Sequence, residues 1–277
     1  MSDLPKKTAG SIDRRQMLML SAAFGAVLNP GFAHAHGPDG KPMPRDPSLP
    51  EIKVGMLVYP RMILLDLIAP MTVLNILRAD IQLIGKTTEP VSTDVGLPVS
   101  PHVDFSAAER DVDILFVPGG IMGTIDLMKD AETLDFVADL GARARYVTSV
   151  CTGSLVLGAA GLLNGYRATS HWGIADLLPT LGATRVDERV VTDRNRVTGG
   201  GATAGLDFGL ALAAQIYGEE EARRVQLILE YSPEPPFQNG TPEEAGPERL
   251  AQARERRVSM DQQAKEAAEF AAARLGL

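Results

Sequence analysis

The sequence predicts an α/β fold in which a doubly wound, mostly parallel β-sheet is sandwiched between helices. Three observations predict this fold: apolar strands alternate with helices along the chain, glycine-containing turns follow several strands, and 45% of the 277 residues are hydrophobic. The sequence shows no internal repeat and no second segment long enough for another domain. We therefore expect one domain over residues 51–277 that ends in a C-terminal helix.

The first half of this domain alternates between apolar runs of strand length and segments with helical spacing. Runs of Val, Ile and Leu between turn residues predict strands, and apolar residues three or four apart predict helices. The predicted elements are a strand over 52–60, a helix after Asp66 with Pro70 in its first turns, a strand over 79–87, short antiparallel pieces or an excursion over 91–105, a strand over 112–120 and a helix over 131–144.

The second half continues the alternation and ends in polar segments. The predicted elements are a strand over 145–150, a helix from Thr152, a hairpin over 183–200 with its bend at residues 193–195, an apolar helix over 204–218, a proline-rich arm over 232–248 and a last helix over 249–275. Such a parallel sheet gathers functional residues at the carboxyl ends of its strands. We therefore look for the site in the turns that follow the strands.

Residues 1–35 are predicted to be an export signal rather than part of the fold. A basic start is followed by the paired Arg14-Arg15, a short apolar stretch over 17–28 and Ala33-His34-Ala35, which suits cleavage after Ala35. The paired arginines resemble a twin-arginine signal, which predicts a periplasmic protein with no stable membrane anchor after cleavage. The alternative is an uncleaved amphipathic anchor. Residues 36–50 are rich in Gly and Pro and predict a flexible linker.

Charge and composition exclude several classes of function. The net charge is −8 and no basic stripe runs along the domain, so nucleic acid is not an expected partner. One cysteine excludes an intramolecular disulfide. The glycine-rich run over 198–205 lacks the acidic residue on a second strand that a nucleotide site requires, so we interpret it as a packed turn. We expect no metal and no cofactor. The expected ligand is a small-molecule substrate.

The only cysteine, Cys151, lies where a predicted strand meets a predicted helix. A sharp strand-to-helix turn would project its side chain from the sheet edge, and Gly153 leaves room for such a turn. The N-terminus of the following helix would favour thiolate over thiol. These features indicate a nucleophile, but a buried core thiol fits the same pattern.

Three further groups are candidates for the same site. The turn Gly119-Gly120-Ile121 could expose backbone N–H groups that form an anion hole with the amide of Thr152, or it could be an ordinary tight turn. Asp66 lies among apolar residues, where it could cap a helix or act as a buried acid with a raised pKa. His171 could pair with the thiol, but its small neighbours favour a packing role.

Four segments together resemble the ThiJ/PfpI family, and in particular its isonitrile hydratase branch. They are residues 59–70, 115–123, 147–172 and 197–237, and the resemblance extends over about residues 52–246. The resemblance implies the doubly wound sandwich of class I glutamine amidotransferases and a homodimer. It also implies that Cys151 is the nucleophile, that Thr152 belongs to the site, and that Asp66 is the acid that supplies a proton.

The reaction implied by the resemblance is hydration of an isonitrile to an N-substituted formamide, through a thioimidate on Cys151. Protease-like members of the family have histidine directly after the cysteine, whereas this chain has Thr152. That difference argues against peptidase activity. Two alternatives use the same thiol: a glyoxalase-like or deglycase activity on small aldehydes, and a non-catalytic redox sensor.

Overall fold

A computed structural model describes residues 46–277, in which a seven-stranded sheet separates two groups of helices. The predicted export signal and most of the predicted linker lie outside the described residues. The strands are β1 (Lys53–Leu57), β2 (Asp80–Gly85), β3 (Val91–Ser92), β4 (Pro98–Val99), β5 (Val103–Asp104), β6 (Ile114–Val117), β7 (Tyr146–Val150), β8 (Arg167–Ala168), β9 (Thr184–Arg185), β10 (Val190–Asp193) and β11 (Arg196–Gly199).

Eight α-helices complete the described part of the chain. They are α1 (Leu64–Ile76), α2 (Ile121–Leu127), α3 (Ala131–Arg143), α4 (Gly153–Ala159), α5 (Ala204–Tyr217), α6 (Glu219–Ile228), α7 (Pro242–Glu255) and α8 (Val258–Leu275). Helices α1, α5 and α6 pack on one side of the sheet, and α2, α3, α4 and α8 pack on the other. This arrangement confirms the predicted doubly wound α/β fold.

The main sheet has the strand order β10-β11-β7-β6-β1-β2-β5, and each neighbouring pair is parallel except β10 with β11. Strand β1 is followed by β2 on one side and by β6 on the other, so the winding direction reverses there. Ligand sites in such sheets form at this reversal, beyond the carboxyl ends of the strands. The connections after β1, β6 and β7 therefore meet at one edge.

The central strands are buried on both faces, as their continuous apolar sequence requires. Every residue of β6 is fully buried, and its Phe116 ring lies 5.7 Å from the ring of Phe208 on α5. This core fixes the positions of the strand ends. Within residues 46–277, no helix combines the length and the apolarity that a membrane span needs.

The first predicted helix begins earlier than expected, and this changes the position of Asp66. Helix α1 starts at Leu64, with the extended Ile63 as N-cap, and the Asp94 carboxylate accepts a hydrogen bond from the Leu64 N–H at 2.8 Å. Asp66 is therefore the third residue of the helix, which excludes the N-cap among the two roles that the sequence left open for it. The Asp94 carboxylate, from the loop between β3 and β4, instead accepts a hydrogen bond from the N-terminus of the helix.

Two other predicted elements differ from the structure. The C-terminal helix is not continuous from Arg249, because the chain breaks at residues 256–257 into α7 and α8. The proline-rich arm also includes the start of α7, where Thr241 and Glu244 form a capping box. In the segment over 91–105, β3 and β4 pair antiparallel as expected, but β5 joins the main sheet parallel to β2.

Candidate active site

Cys151 lies at the turn between β7 and α4, with φ of +54°. Its backbone N–H donates to the carbonyl oxygens of Gly199 and Gly200 at 3.0 and 2.6 Å, and its own carbonyl accepts from the Ser170 hydroxyl at 2.9 Å. A positive φ is uncommon for a residue with a side chain and persists only where the surroundings enforce it. The predicted sharp turn is therefore present, and the glycine-rich run after β11 holds it.

Gly153 allows the turn to pack against the end of β6. A Cβ atom at this position would lie 2.2 Å from the carbonyl oxygen of Val117 and 2.7 Å from that of Pro118. These contacts are too short for any side chain. Glycine at residue 153 therefore sets the position of Cys151 relative to the turn that follows β6.

Asp66, Cys151 and Thr152 converge on Gly119. The Gly119 N–H donates to Asp66 Oδ2 at 2.9 Å, in a fully buried contact. A Cβ atom at Gly119 would lie 2.6 Å from Asp66 Oδ2, 2.6 Å from the Thr152 nitrogen and 2.7 Å from Cys151 Cβ. The structure thus brings together groups from the connections after β1, β6 and β7.

Burial dominates the protonation of Asp66. Loss of solvent raises the pKa of its carboxyl to about 6, against the opposing hydrogen bonds from Gly119 and Cys151, and the charge of Asp94 adds to the rise. Oδ1 is buried and has no well-formed hydrogen bond within residues 46–277. That oxygen is free to exchange a proton near neutral pH.

The Cys151 thiol is also buried, with 1% of the residue exposed. Its burial and then the charge of Asp66 hold the pKa of the thiol well above its ordinary value, while the Thr152 N–H and the charge of Arg257 act in the opposite direction. The Thr152 N–H at the start of α4 does favour the thiolate, in the direction expected of a helix N-terminus, but its effect is smaller than those of burial and Asp66. Burial outweighs the helix end, and the sulfur must lose its proton before it can attack.

Two backbone N–H groups of the turn that could form an anion hole already have acceptors within the protein. The Gly119 N–H is already bonded to Asp66, and the Gly120 N–H donates to the Thr152 hydroxyl at 2.8 Å. Ile121 is the first residue of α2. In this group, the Thr152 N–H is the donor that faces the Cys151 sulfur. The turn therefore organises the site through internal hydrogen bonds.

A buried chain of hydroxyl groups continues from Thr152 and was not predicted. The Thr152 and Thr124 oxygens are 2.7 Å apart, the Tyr59 hydroxyl lies 3.5 Å from Thr124, and it donates to the Pro118 carbonyl at 2.7 Å. Thr124 lies on α2, a short helix that follows the Gly-Gly turn and has no distinctive sequence pattern. Only the packing of β1, α2 and α4 brings these hydroxyls together.

His171 does not hydrogen-bond to Cys151 in the structure. Its Nδ1 accepts from the Gly173 N–H at 3.1 Å, and its ring centroid lies 5.4 Å from that of Trp172. Burial, followed by the charge of Arg257, lowers the pKa of the ring to about 4, so the ring is neutral at pH 7. These contacts give His171 a packing position. Within residues 46–277, no cluster of three or more His, Cys, Asp or Glu side chains could hold a metal ion.

Comparison with known proteins identifies relatives of both the sequence and the fold. Residues 52–215 match the model of the DJ-1/PfpI family. The chain is 48% identical over 227 residues to isonitrile hydratase of Pseudomonas putida, a match that covers 82% of this chain and 99% of that protein.

Solved structures of other proteins have the same fold. A ThiJ/PfpI family protein from Pseudomonas syringae superposes with a TM-score of 0.78 at 44% identity, over 87% of this chain and 99% of that one. DJ-1beta of Drosophila melanogaster superposes with a TM-score of 0.60 at 21% identity, over 66% of this chain and all of the other. At that lower identity, the likeness shows the fold alone.

The buried carboxyl of Asp66 should make the stability of the protein depend on pH. Because its pKa is raised from 3.8 to about 6 on folding, its contribution to stability is complete below pH 4 and is lost as pH rises through about 6. A shift of this size corresponds to roughly 3 kcal/mol. Asp66→Asn should therefore gain stability relative to the wild type between pH 4 and pH 7, measured by urea unfolding.

Asp111→Asn provides the matched control, since it removes an exposed carboxyl. Its unfolding free energy should follow the wild-type pH profile. Parallel profiles for Asp66→Asn and the wild type would contradict a raised pKa for the buried carboxyl.

Proposed function

This chain belongs to the DJ-1/PfpI family, and we propose that it hydrates an isonitrile, R–N≡C, to the N-substituted formamide with Cys151 as the nucleophile. The observation that carries the proposal is the buried pair of Cys151 and Asp66 around Gly119. The 48% identity to an isonitrile hydratase, over 99% of that protein's length, supports the choice of substrate class. The reaction requires a nucleophile and a proton donor at the same carbon atom, and the pair supplies both.

In the first step, the Cys151 thiol transfers its proton to Asp66 as the sulfur forms a bond to the terminal carbon of the isonitrile. Asp66 then delivers that proton to the same carbon, which gives the thioimidate R–N=CH–S–Cys. An acid with a pKa of about 6 is suited to this exchange, because it both accepts and releases a proton near neutral pH.

In the second step, water adds to the carbon of the thioimidate and the nitrogen gains a proton. The carbon–sulfur bond then breaks, the formamide leaves, and the sulfur regains a proton as the thiol. The overall reaction consumes one water and requires no oxidant or reductant. Asp66 takes the proton from the attacking water, as it took the proton from the thiol.

Thr152 supplies two groups to this reaction. Its N–H faces the sulfur, where it stabilises the negative charge that develops as the proton leaves. Its hydroxyl is held by the Gly120 N–H and by Thr124, so its position is fixed before substrate enters. Positioning of this kind lowers the cost of ordering the site during the reaction.

The redox-sensor alternative is weaker for a thiol in this environment. Peroxide oxidises the thiolate, whereas burial raises the pKa of the Cys151 thiol and so lowers its thiolate fraction near neutral pH. The glyoxalase-like or deglycase alternative uses the same nucleophile, and no contact in the site favours an aldehyde over an isonitrile. Substrate assays distinguish the two.

We expect the protein to convert cyclohexyl isonitrile to N-cyclohexylformamide. Chromatography of the product measures this turnover. Cys151→Ala removes the nucleophile and should abolish turnover. Asp66→Asn should reduce turnover by at least about 100-fold, since a general acid–base group contributes about 10² to 10⁴ in rate. Iodoacetamide should still alkylate Cys151 in Asp66→Asn, which would show that the thiol remains intact. Wild-type turnover of an aldehyde but not of the isonitrile would contradict the proposal.

We propose that the protein is a homodimer, as the family resemblance implies. Large apolar side chains are exposed on α1 at Leu65 and Ile68, and on α6 at Leu227 and Ile228. Groups of exposed apolar side chains suit an interface with another protein chain. Light scattering should give twice the mass of the protomer, and the mass of one protomer at micromolar concentration would contradict the dimer.

We also propose that residues 1–35 direct export through the twin-arginine route. The paired arginines, the short apolar stretch and Ala33-His34-Ala35 support the proposal. In a bacterial host with this route, the protein should appear in the periplasmic fraction with His36 as its first residue. Replacement of both Arg14 and Arg15 by Lys should retain it in the cytoplasm, and an unchanged distribution would contradict this assignment.

A further inference from the structure

Arg257 lies at the break between α7 and α8, outside residues 52–215 that match the family model. Helix α8, which begins at the next residue, packs against α2 and α4. Helix α2 carries Thr124, and α4 begins directly after Cys151 and Thr152. Helix α8 therefore approaches the candidate active site from outside the residues that match the family model.

The Arg257 side chain is held tightly for a residue near the surface. Only 16% of the side chain is exposed, and its Nη2 donates to Asp261 Oδ1 at 2.9 Å. The guanidinium carbon lies 5.7 Å from the centre of the Trp172 ring. Its Nε is buried and has no hydrogen-bond partner in the described part of the chain. An ion pair that served only to attach the helix would not need this buried, unsatisfied donor.

Gly173 provides the space in which the guanidinium lies. A Cβ atom at Gly173 would be 2.7 Å from Arg257 Nε and 2.8 Å from its Cζ and Nη2. The same segment also supports the nucleophile, because the Ser170 hydroxyl donates to the Cys151 carbonyl at 2.9 Å. Residues 170–173 thus connect the position of the arginine to the turn that carries the sulfur.

The charge of Arg257 acts on the groups around it. It lowers the pKa of the Cys151 thiol, in opposition to burial and to the charge of Asp66, and it lowers the pKa of His171. The other titratable group that faces the thiol is Tyr59, whose pKa burial raises far above neutral, so it stays uncharged. Asp261 is the acidic partner of the guanidinium. Among the charged side chains that act on the thiol, Arg257 is the one that favours the thiolate, with a smaller effect than burial or Asp66.

We propose that Arg257 is a positioning residue for the thiol chemistry of this site: seated by Trp172, Gly173 and Asp261, its guanidinium stabilises the Cys151 thiolate that forms when the proton passes to Asp66. The role in hydration rests on the proposed function, whereas the effect on the thiol does not. Reactivity of the thiol toward an alkylating agent therefore tests the inference separately.

The test measures the rate at which iodoacetamide alkylates Cys151 as a function of pH, followed by mass spectrometry. Arg257→Gln should move the alkylation profile to higher pH by about half a unit to one unit, which is about a 3- to 10-fold loss of rate at a fixed pH below the pKa. Arg257→Lys, which keeps the charge, should restore most of the rate. Arg256→Gln removes the exposed neighbouring arginine and should leave the profile unchanged.

Gly173→Ala displaces the guanidinium without removing its charge. Because Trp172 is the only tryptophan of the chain, its fluorescence reports whether the arginine has left its position. A shifted alkylation profile together with altered Trp172 emission would support positioning, and this variant replaces Arg257→Gln if the latter fails to fold.

Two outcomes separate this inference from the proposed function. A wild-type profile in Arg257→Gln and in Gly173→Ala, despite altered Trp172 emission, would overturn the inference even if the protein hydrates isonitriles normally. Shifted profiles in a protein without hydratase activity would overturn the proposed function and support the effect of Arg257 on the thiol. If both hold, hydration by Arg257→Gln should fall by a factor similar to that of alkylation.

Discussion

The candidate site depends on one steric constraint, which is that no side chain fits at Gly119. The Asp66 carboxylate, the Thr152 nitrogen and Cys151 Cβ would all lie within 2.7 Å of a Cβ atom at this position. These groups follow three different strands, so their meeting point is the place where the sheet reverses its winding. A single methyl group at Gly119 would push the acid away from the nucleophile. The short distance between Asp66 and Cys151 therefore depends on residue 119 having no Cβ atom.

That close approach is maintained against an electrostatic cost. Two groups that can both become anionic are buried together, and burial raises the pKa of each. The surrounding backbone opposes the cost, since the Gly119 N–H bonds to Asp66 and the Thr152 N–H faces the sulfur. The rigid core beneath β6 and β7 prevents the pair from separating, because core packing leaves little free volume into which the strand ends could move. We expect one proton to pass between the Asp66 carboxyl and the Cys151 thiol in this buried site.

The sequence predicts those features that depend on neighbouring residues. Periodicity predicts the central strands, and the strand-to-helix turn at Cys151 follows from composition on either side of it. Features that depend on distant residues could not be predicted. The raised thiol pKa results from burial beside Asp66, the cap of α1 comes from Asp94, and the hydroxyl chain requires α2 to pack beside β1. The Gly-Gly turn is predicted to be an anion hole or an ordinary tight turn, and the acceptors of its N–H groups, Asp66 and Thr152, lie on other segments of the chain. Its residues' catalytic roles stay predictions.

Residues distant in sequence also control the protonation of Cys151. Asp66 and Arg257 act on Cys151 with opposite sign: the carboxylate disfavours the thiolate, while the guanidinium favours it. When the thiol proton passes to Asp66, the opposing negative charge disappears at the moment the sulfur becomes anionic. The net charge of the pair does not change in this transfer, so the buried site never holds two anions. The charge of Asp66 then no longer opposes that of Arg257 at the sulfur, so the thiolate forms most easily in the state that attacks.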